Sequence, residues 1–259
     1  NTAIRFPAAD TISLETAGSE RLRINNSGHI LKGHDAPSAD LHDSQTTTGR
    51  SPRFQLHGAN AVNAGAALIS WKSGTGSYYS PNIYLARSGS DTIGTNGLVA
   101  NDAPLGAITF NGDDGGEFAK AAVILGEVDG TSGADNMPGR LIFKTTPSGT
   151  QEPVERLRID QDGKIGIGTN NPSTYKLHLQ GTTSALARFE RTGGAFAKVD
   201  IKAGTTAGNS YLTFSDSAAS EVGEINYEHG DDSLRIAVNS AERLRIKSDG
   251  KIQLSSATA

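Results

Sequence analysis

A chain of 259 residues has room for one large domain or two small ones. Its 24 basic and 28 acidic residues leave a formal charge of −4 and offer no basic face for the phosphate attraction that dominates nucleic-acid binding. With no cysteine there is no disulfide framework, thiolate metal site or cysteine nucleophile. The longest apolar runs, such as Ala64 to Ser70 and Ala121 to Gly126, fall far short of the ~20 residues of a membrane-spanning helix.

The core is lean. Leu, Ile, Val and Phe total 53 residues, against 31 glycines and 31 alanines. That is close to the level at which a chain cannot bury enough surface to fold, but the low net charge and the ordered apolar patterning argue for a folded protein helped by partners. The chain opens on Asn1 with no basic segment leading into an apolar stretch, so no signal peptide is visible, and a fragment or processed product is expected.

In chain order, Ile12, Leu14 and Thr16 alternate as a strand and lead into Glu20-Arg21-Leu22-Arg23-Ile24. A turn, Asn25-Asn26-Ser27-Gly28, and a second strand, His29-Ile30-Leu31, follow. Gly33 to Arg50, rich in Asp, Ser, Thr and His, reads as a linker or an extended crossing segment. Trp71, Tyr78, Tyr79 and Tyr84 lie in a Gly- and Ser-rich stretch that reads as a loop, and Asn82 to Arg87 and Gly106 to Asn111 read as strands. Propensity would permit a helix over Glu117 to Val128. The Val123-Ile124-Leu125 run between Asp-Gly-rich turns favours a strand through Ala119 to Gly126.

The first unit then recurs. Leu141, Phe143 and Thr145 precede Glu155-Arg156-Leu157-Arg158-Ile159, the turn Asp160-Gln161-Asp162-Gly163 and the strand Lys164-Ile165-Gly166-Ile167. Tyr175 to Gln180, Val199 to Ala203, Tyr211 to Ser215 and Gly223 to Glu228 read as further strands. A third copy runs through Leu234, Ile236 and Val238, Glu242-Arg243-Leu244-Arg245-Ile246, Lys247-Ser248-Asp249-Gly250 and Lys251-Ile252-Gln253-Leu254. Gly28, Gly163 and Gly250 supply the positive φ of tight hairpins. The period of two places leucine and isoleucine on one face, with Leu22, Ile24, Leu157, Ile159, Leu244 and Ile246 as the repeat core, and both arginines of each copy on the other face. Phe189, Phe196, Tyr211, Phe214 and Tyr227 read as strand-borne core.

Each unit is a three-stranded meander with one apolar face, and such a meander is marginal in water by itself. The copies lie 135 and 87 residues apart, too unequal for a solenoid, so the economical cover is a symmetric oligomer in which identical faces meet on an axis. A duplicated sandwich hairpin within one monomer is the alternative. Three segments follow: 1–50, a meander and linker; 51–168, a central β domain ending in the second hairpin; and 169–259, a C-terminal β domain ending in the third.

Catalytic and cofactor signals are weak. Gly166-Ile167-Gly168-Thr169-Asn170-Asn171 lacks the third glycine and helix of a dinucleotide loop, and no phosphate loop, His-Glu-x-x-His or Gly-x-Ser-x-Gly motif occurs. The histidines His29, His34, His42, His57, His178 and His229 have no ligand spacing. His34, Asp35, Asp40, His42 and Asp43 form a local cluster where a metal could bridge chains, but a solvated loop is the simpler reading, and neither metal nor cofactor is expected. Acidic turns such as Gly112-Asp113-Asp114-Gly115 fit hairpin chemistry better than a calcium loop. A binding surface is best sought at Trp71, Tyr78, Tyr79 and Tyr84, since rings with polar tips suit sugar faces and wet interfaces.

The string Glu155 to Ile167, continuing through Gly168-Thr169-Asn170-Asn171-Pro172-Ser173 to Tyr175-Lys176-Leu177, resembles the repeated modules of tailed-phage tail fibres, especially those of marine and cyanobacterial phages. Leu85 to Asp129 leading into Met137-Pro138-Gly139-Arg140-Leu141, and Gly223 to Tyr227 followed by Leu234 to Ile236, resemble the same family; the first fifty residues and the region around Trp71 match less well. The resemblance implies an all-β, elongated homotrimeric fibre of meander and hairpin modules, partly intertwined between chains. It implies a virion tail location, attachment to other tail proteins, and binding of a host cell-surface receptor, glycan or protein, without membrane insertion or catalysis. Such fibres often end in a self-cleaving chaperone domain, which is expected to be absent from a chain stopping at Ala259. A trimeric polysaccharide-degrading spike and a cellular surface stalk are the alternatives.

Overall fold

A computed structural model describes residues 2–17, 19–26, 28–32, 54–56, 66–71, 73–74, 80–182, 186–193 and 197–255. The chain divides into two compact units, Asn1–Leu186 and Ala187–Ala259. All regular structure among the described residues is β, and Phe118–Val128 is strand, as its bounding turns predict. The first sheet is ordered β1 (Thr2–Arg5), β2 (Ile12–Thr16), β3 (Ser19–Ile24), β4 (Ile30–Lys32) and β5 (Phe54–Leu56). The second comprises β6 (Pro104–Asp113), β7 (Phe118–Val128), β8 (Gly139–Thr145), β9 (Val154–Ile159), β10 (Ile165–Ile167) and β11 (Leu177–Leu179), again in sequence order. In the second unit, β12 (Asn209–Phe214), β13 (Gly223–Glu228), β14 (Ser233–Val238), β15 (Ala241–Ile246) and β16 (Ile252–Leu254) form the third sheet.

Neighbouring strands are antiparallel except at β4–β5 and β10–β11. The first sheet therefore reaches past residue 50 and the second past residue 168. Two segments predicted as strands, Asn82 to Arg87 and Val199 to Ala203, belong to no ladder. Alternation makes a segment ready for a sheet, but a strand also needs a free edge to pair with. The short β1 and β5 lie outside the predicted strands. The linker Gly33 to Arg50 lies outside the described residues.

The three repeats close with the same turn. Gly28, Gly163 and Gly250 have φ of 74°, 70° and 79°, and each donates its N–H to the carbonyl three residues back, Asn25, Asp160 or Lys247. A type I turn ending in a left-handed glycine matches the twist of the two strands, and a Cβ at that φ would be strained. Asp160 Oδ1 fastens the middle copy further by accepting the Asp162 and Lys164 N–H groups.

Strict alternation fails at one residue in each copy. Leu14 pairs with Leu22 but Glu15 with Glu20; Phe143 with Leu157 but Lys144 with Glu155; Ile236 with Leu244 but Ala237 with Glu242. Arg21, Arg156 and Arg243 are thus the extra residue of a β-bulge. In a plain strand, residues three apart point to opposite faces; the bulge brings the glutamate and the second arginine to one face. The pairs Glu20–Arg23, Glu155–Arg158 and Glu242–Arg245 each close a two-pronged hydrogen bond, the middle one at 2.7 and 2.8 Å. The first arginine turns the other way. Arg21 and Arg156 donate to Thr16 and Thr145 Oγ1 at 2.8 and 2.9 Å, and Arg243 reaches the Val238 carbonyl at 3.4 Å. Both threonines lie on the leucine face, so the expectation that both arginines share the polar face is corrected: the inserted residue resets the period.

The tightest apolar packing in the second sheet lies on the face of Arg158. Val123, Leu125 and Ile142 form the buried cluster, with Leu125, Ile142, Arg158 and Gly166 in one cross-strand row. Gly166 leaves room for the backbone that folds back to β11, since a Cβ there would come within 2.6 Å of the Thr169 carbonyl oxygen.

Deleting Arg156 removes the bulge and forces either Glu155 or Leu157 onto the wrong face. Denaturant unfolding should show a loss of about 2 kcal/mol or more. Arg156→Ala keeps the residue count and should cost under about 1 kcal/mol; equal losses from the two changes would contradict the bulge assignment.

Candidate functional site

The opposite face of every sheet is a set of apolar rows running from strand to strand. In the second sheet, Ile108, Ile124, Phe143, Leu157, Ile167 and Leu179 align across all six strands. Beside them run Leu141, Ile159, Ile165 and Leu177. In the third sheet, Leu212, Ile225, Ile236, Leu244 and Leu254 cross all five strands. In the first, Ile4, Leu14 and Leu22 form one row and Ile12, Ile24, Ile30 and Phe54 another.

These rows are only partly covered in the single chain: their central members Ile124, Phe143, Leu157, Ile236 and Leu244 are half-buried, and residues nearer the ends are exposed. Ile24, Ile159 and Ile246 are 36–37% exposed, and Leu254 is 75% exposed. Tyr211, Phe214 and Tyr227, expected in the core, are likewise exposed, and Phe189 lies outside any strand. Phe196 lies outside the described residues. A continuous open apolar face exceeds the scattered hydrophobics that any soluble surface carries and marks an interaction surface.

The polar faces carry ionic networks. In the second sheet the largely buried Arg140 reaches Asp102 Oδ1 at 2.6 Å, Glu127 Oε2 at 2.7 Å and Asp129 Oδ1 at 2.8 Å. Asp129 Oδ2 also accepts the Gln161 N–H at 2.9 Å, tying the turn of the second repeat to the turn between β7 and β8. Burial pushes the Asp129 carboxyl up, but the Gln161 N–H and the Arg140 guanidinium outweigh it and hold its pKa below the ordinary 3.8. In the third sheet Asp231 accepts from Ser233, Arg235 and Arg245, and these bonds, the Ser233 one foremost, hold its carboxyl below the usual range.

Of the predicted surface aromatics, Trp71 and Tyr84 are 93% and 85% exposed on backbone outside any strand. No ring contact joins them among the described residues, and Tyr78 and Tyr79 lie outside those residues. The cluster at His34 to Asp43 also lies outside them. No group of His, Asp or Glu spaced to hold a metal occurs among the described residues. The acidic turn at Asp113-Asp114 is hairpin chemistry: Asp113 accepts the Gly115 N–H, and Asp114 accepts those of Gly116 and Glu117.

The architecture is similar to that of the carboxy-terminal domain of the bacteriophage T5 L-shaped tail fibre. That match has a TM-score of 0.55 at 12% identity, over 74% of this chain and 92% of that one. The same domain with its intramolecular chaperone domain matches at a TM-score of 0.57 and 12% identity, over 75% of this chain and 63% of that one. The fold is that of a phage tail fibre domain. No protein-family model matches the chain, and no curated protein matches its sequence.

The depressed Asp129 pKa has a pH signature. Its contribution to stability is complete above the ordinary value of 3.8 and is lost as pH falls through the lower folded value. Far-ultraviolet melting between pH 5 and pH 2, order-of-magnitude bounds for a carboxylate, should show stability falling with acid. In Asp129→Asn the slope should be shallower; an unchanged slope would contradict this role.

Proposed function

We propose that this chain is a structural and adhesive virion component, a tail fibre that assembles as a homotrimer and binds a host cell-surface receptor, a glycan. The observation that carries the reading is the apolar row crossing the full width of the second and third sheets, only partly covered by the single chain. Covering such a face with an identical face closes the surface without a second gene product, and rotational symmetry stops the association from running on into filaments. The likeness to a T5 tail fibre domain supports the same reading. The work is mechanical: projection from a particle, attachment to other tail proteins at one end, and many weak contacts summed over copies at the other. No catalytic step is required for it.

Mass by light scattering on a sizing column tests the assembly. Three copies of the 27.0 kDa chain should give roughly 81 kDa; a monomer or dimer mass would overturn it. Neighbouring residues on opposite faces of β16 sharpen the test. Leu254 and Gln253 are both exposed in the single chain, so neither is needed for its own fold. Leu254→Asp should reduce the mass to that of one chain, and Gln253→Asp should leave it unchanged.

A further inference from the structure

We propose that the polar face of the third sheet holds a sugar-binding groove floored by Asn226, taking a neutral or aminated pyranose. This rests on the adhesive reading above and names the ligand chemistry for it. Asn226 is central in β13 and only 4% exposed, and its Oδ1 is buried without a hydrogen-bond partner. A buried carbonyl left unpaired is destabilising, and because Asn226 lines the groove, a ligand donor that reached its amide would recover that cost.

The groove around Asn226 is rich in acceptors. Glu224, Ala237 and Glu242 form one cross-strand row, and the small Ala237 leaves space between the two carboxylates. Glu221 lines the same groove, and neither its carboxylate nor that of Glu224 has a hydrogen bond or ion pair among the described residues. Arg235, the cation on its wall, is already engaged by Asp231 at 2.9 Å, Glu228 at 3.6 Å and Glu242 at 3.9 Å. A ligand must therefore bring donors. Vicinal hydroxyls do so in pairs that suit a carboxylate, and an amino group strengthens the match, whereas an acidic sugar meets three carboxylates.

An aromatic ring stands beside the groove rather than in its wall. Tyr211 pairs directly with Asn226 across β12 and β13, so their side chains share the polar face, and the Tyr211 hydroxyl accepts from Asn209 Nδ2 at 2.8 Å. Its ring, 45% exposed, can stack against the apolar C–H face of a pyranose while the groove takes the hydroxyl edge. The groove lies opposite the row of Ile225, Ile236 and Leu244, and covering that row in an assembly leaves it open.

Saturation-transfer NMR on the full chain, with methyl glycosides of glucose, galactose and mannose, with glucosamine, and with glucuronic and N-acetylneuraminic acids, tests the proposal. At least one neutral or aminated pyranoside should bind and the two acids should not. Asn226→Leu, Glu224→Gln and Tyr211→Ala should each weaken binding about tenfold or more. Glu224 makes no hydrogen bond or ion pair among the described residues, so Glu224→Gln should melt like the parent and separates lost recognition from lost fold. Binding of no neutral or aminated pyranoside, binding of the acids as well, or binding indifferent to all three substitutions would overturn the groove. Mass measured on the same samples separates the two readings. A three-chain particle without sugar binding sinks the groove alone, and a single-chain particle whose binding the substitutions remove sinks the assembly alone.

Discussion

In each repeat one inserted residue, Arg21, Arg156 or Arg243, decides which side chains share a face. Without the bulge, the glutamate and the second arginine of the motif would lie on opposite sides of the sheet and could not meet. With it they close a two-pronged, charge-assisted bond within one strand, the stronger class of hydrogen bond. The residues after the bulge keep leucine and isoleucine in register with Phe143 and Leu141, or their counterparts in the other copies. The polar network and the apolar row are thus two results of one irregularity.

That separation gives each sheet one face whose charges are paired within the chain and one whose apolar rows are only partly covered. Burying half of an isoleucine or leucine side chain is worth about 1 kcal/mol, and a row six strands wide offers several such gains at once. The single chain forgoes them on the leucine face, although it buries Val123, Leu125 and Ile142 on the other. Symmetric association would recover them with the surface the chain already has. It would also leave the polar faces, with their ionic networks and the Asn226 groove, directed to solvent.

Much of the fold is legible in the residues. The triplicated motif, the turn glycines, the strand identity of Ala119 to Gly126 and the strands of the third sheet follow from alternation and turn chemistry, because both are local. Alternation misleads where a partner is needed. Val199 to Ala203 has the pattern of a strand and belongs to no ladder, while the three-residue β5 is too short to announce itself yet pairs with β4. The bulge leaves no composition signal: Glu-Arg-Leu-Arg-Ile reads as unbroken alternation, and only the cross-strand register exposes the extra residue. The groove was equally hidden. Glu224 and Asn226 stand at alternate positions of β13, a weak hint of one polar face, but their meeting with Tyr211 and Glu242 depends on strands on either side.

What the residues determined by themselves was the all-β class, the repeat, the hairpin turns and the existence of an apolar face too large for a lean chain to hide. These are properties of side-chain period and backbone freedom, which act over a few residues. Tertiary structure alone decided the bulge, the parallel additions of β5 and β11, and the burial of Asn226 Oδ1 without a partner. Those depend on which strand lies beside which and in what register, and register is set by pairing across the sheet rather than by any segment alone.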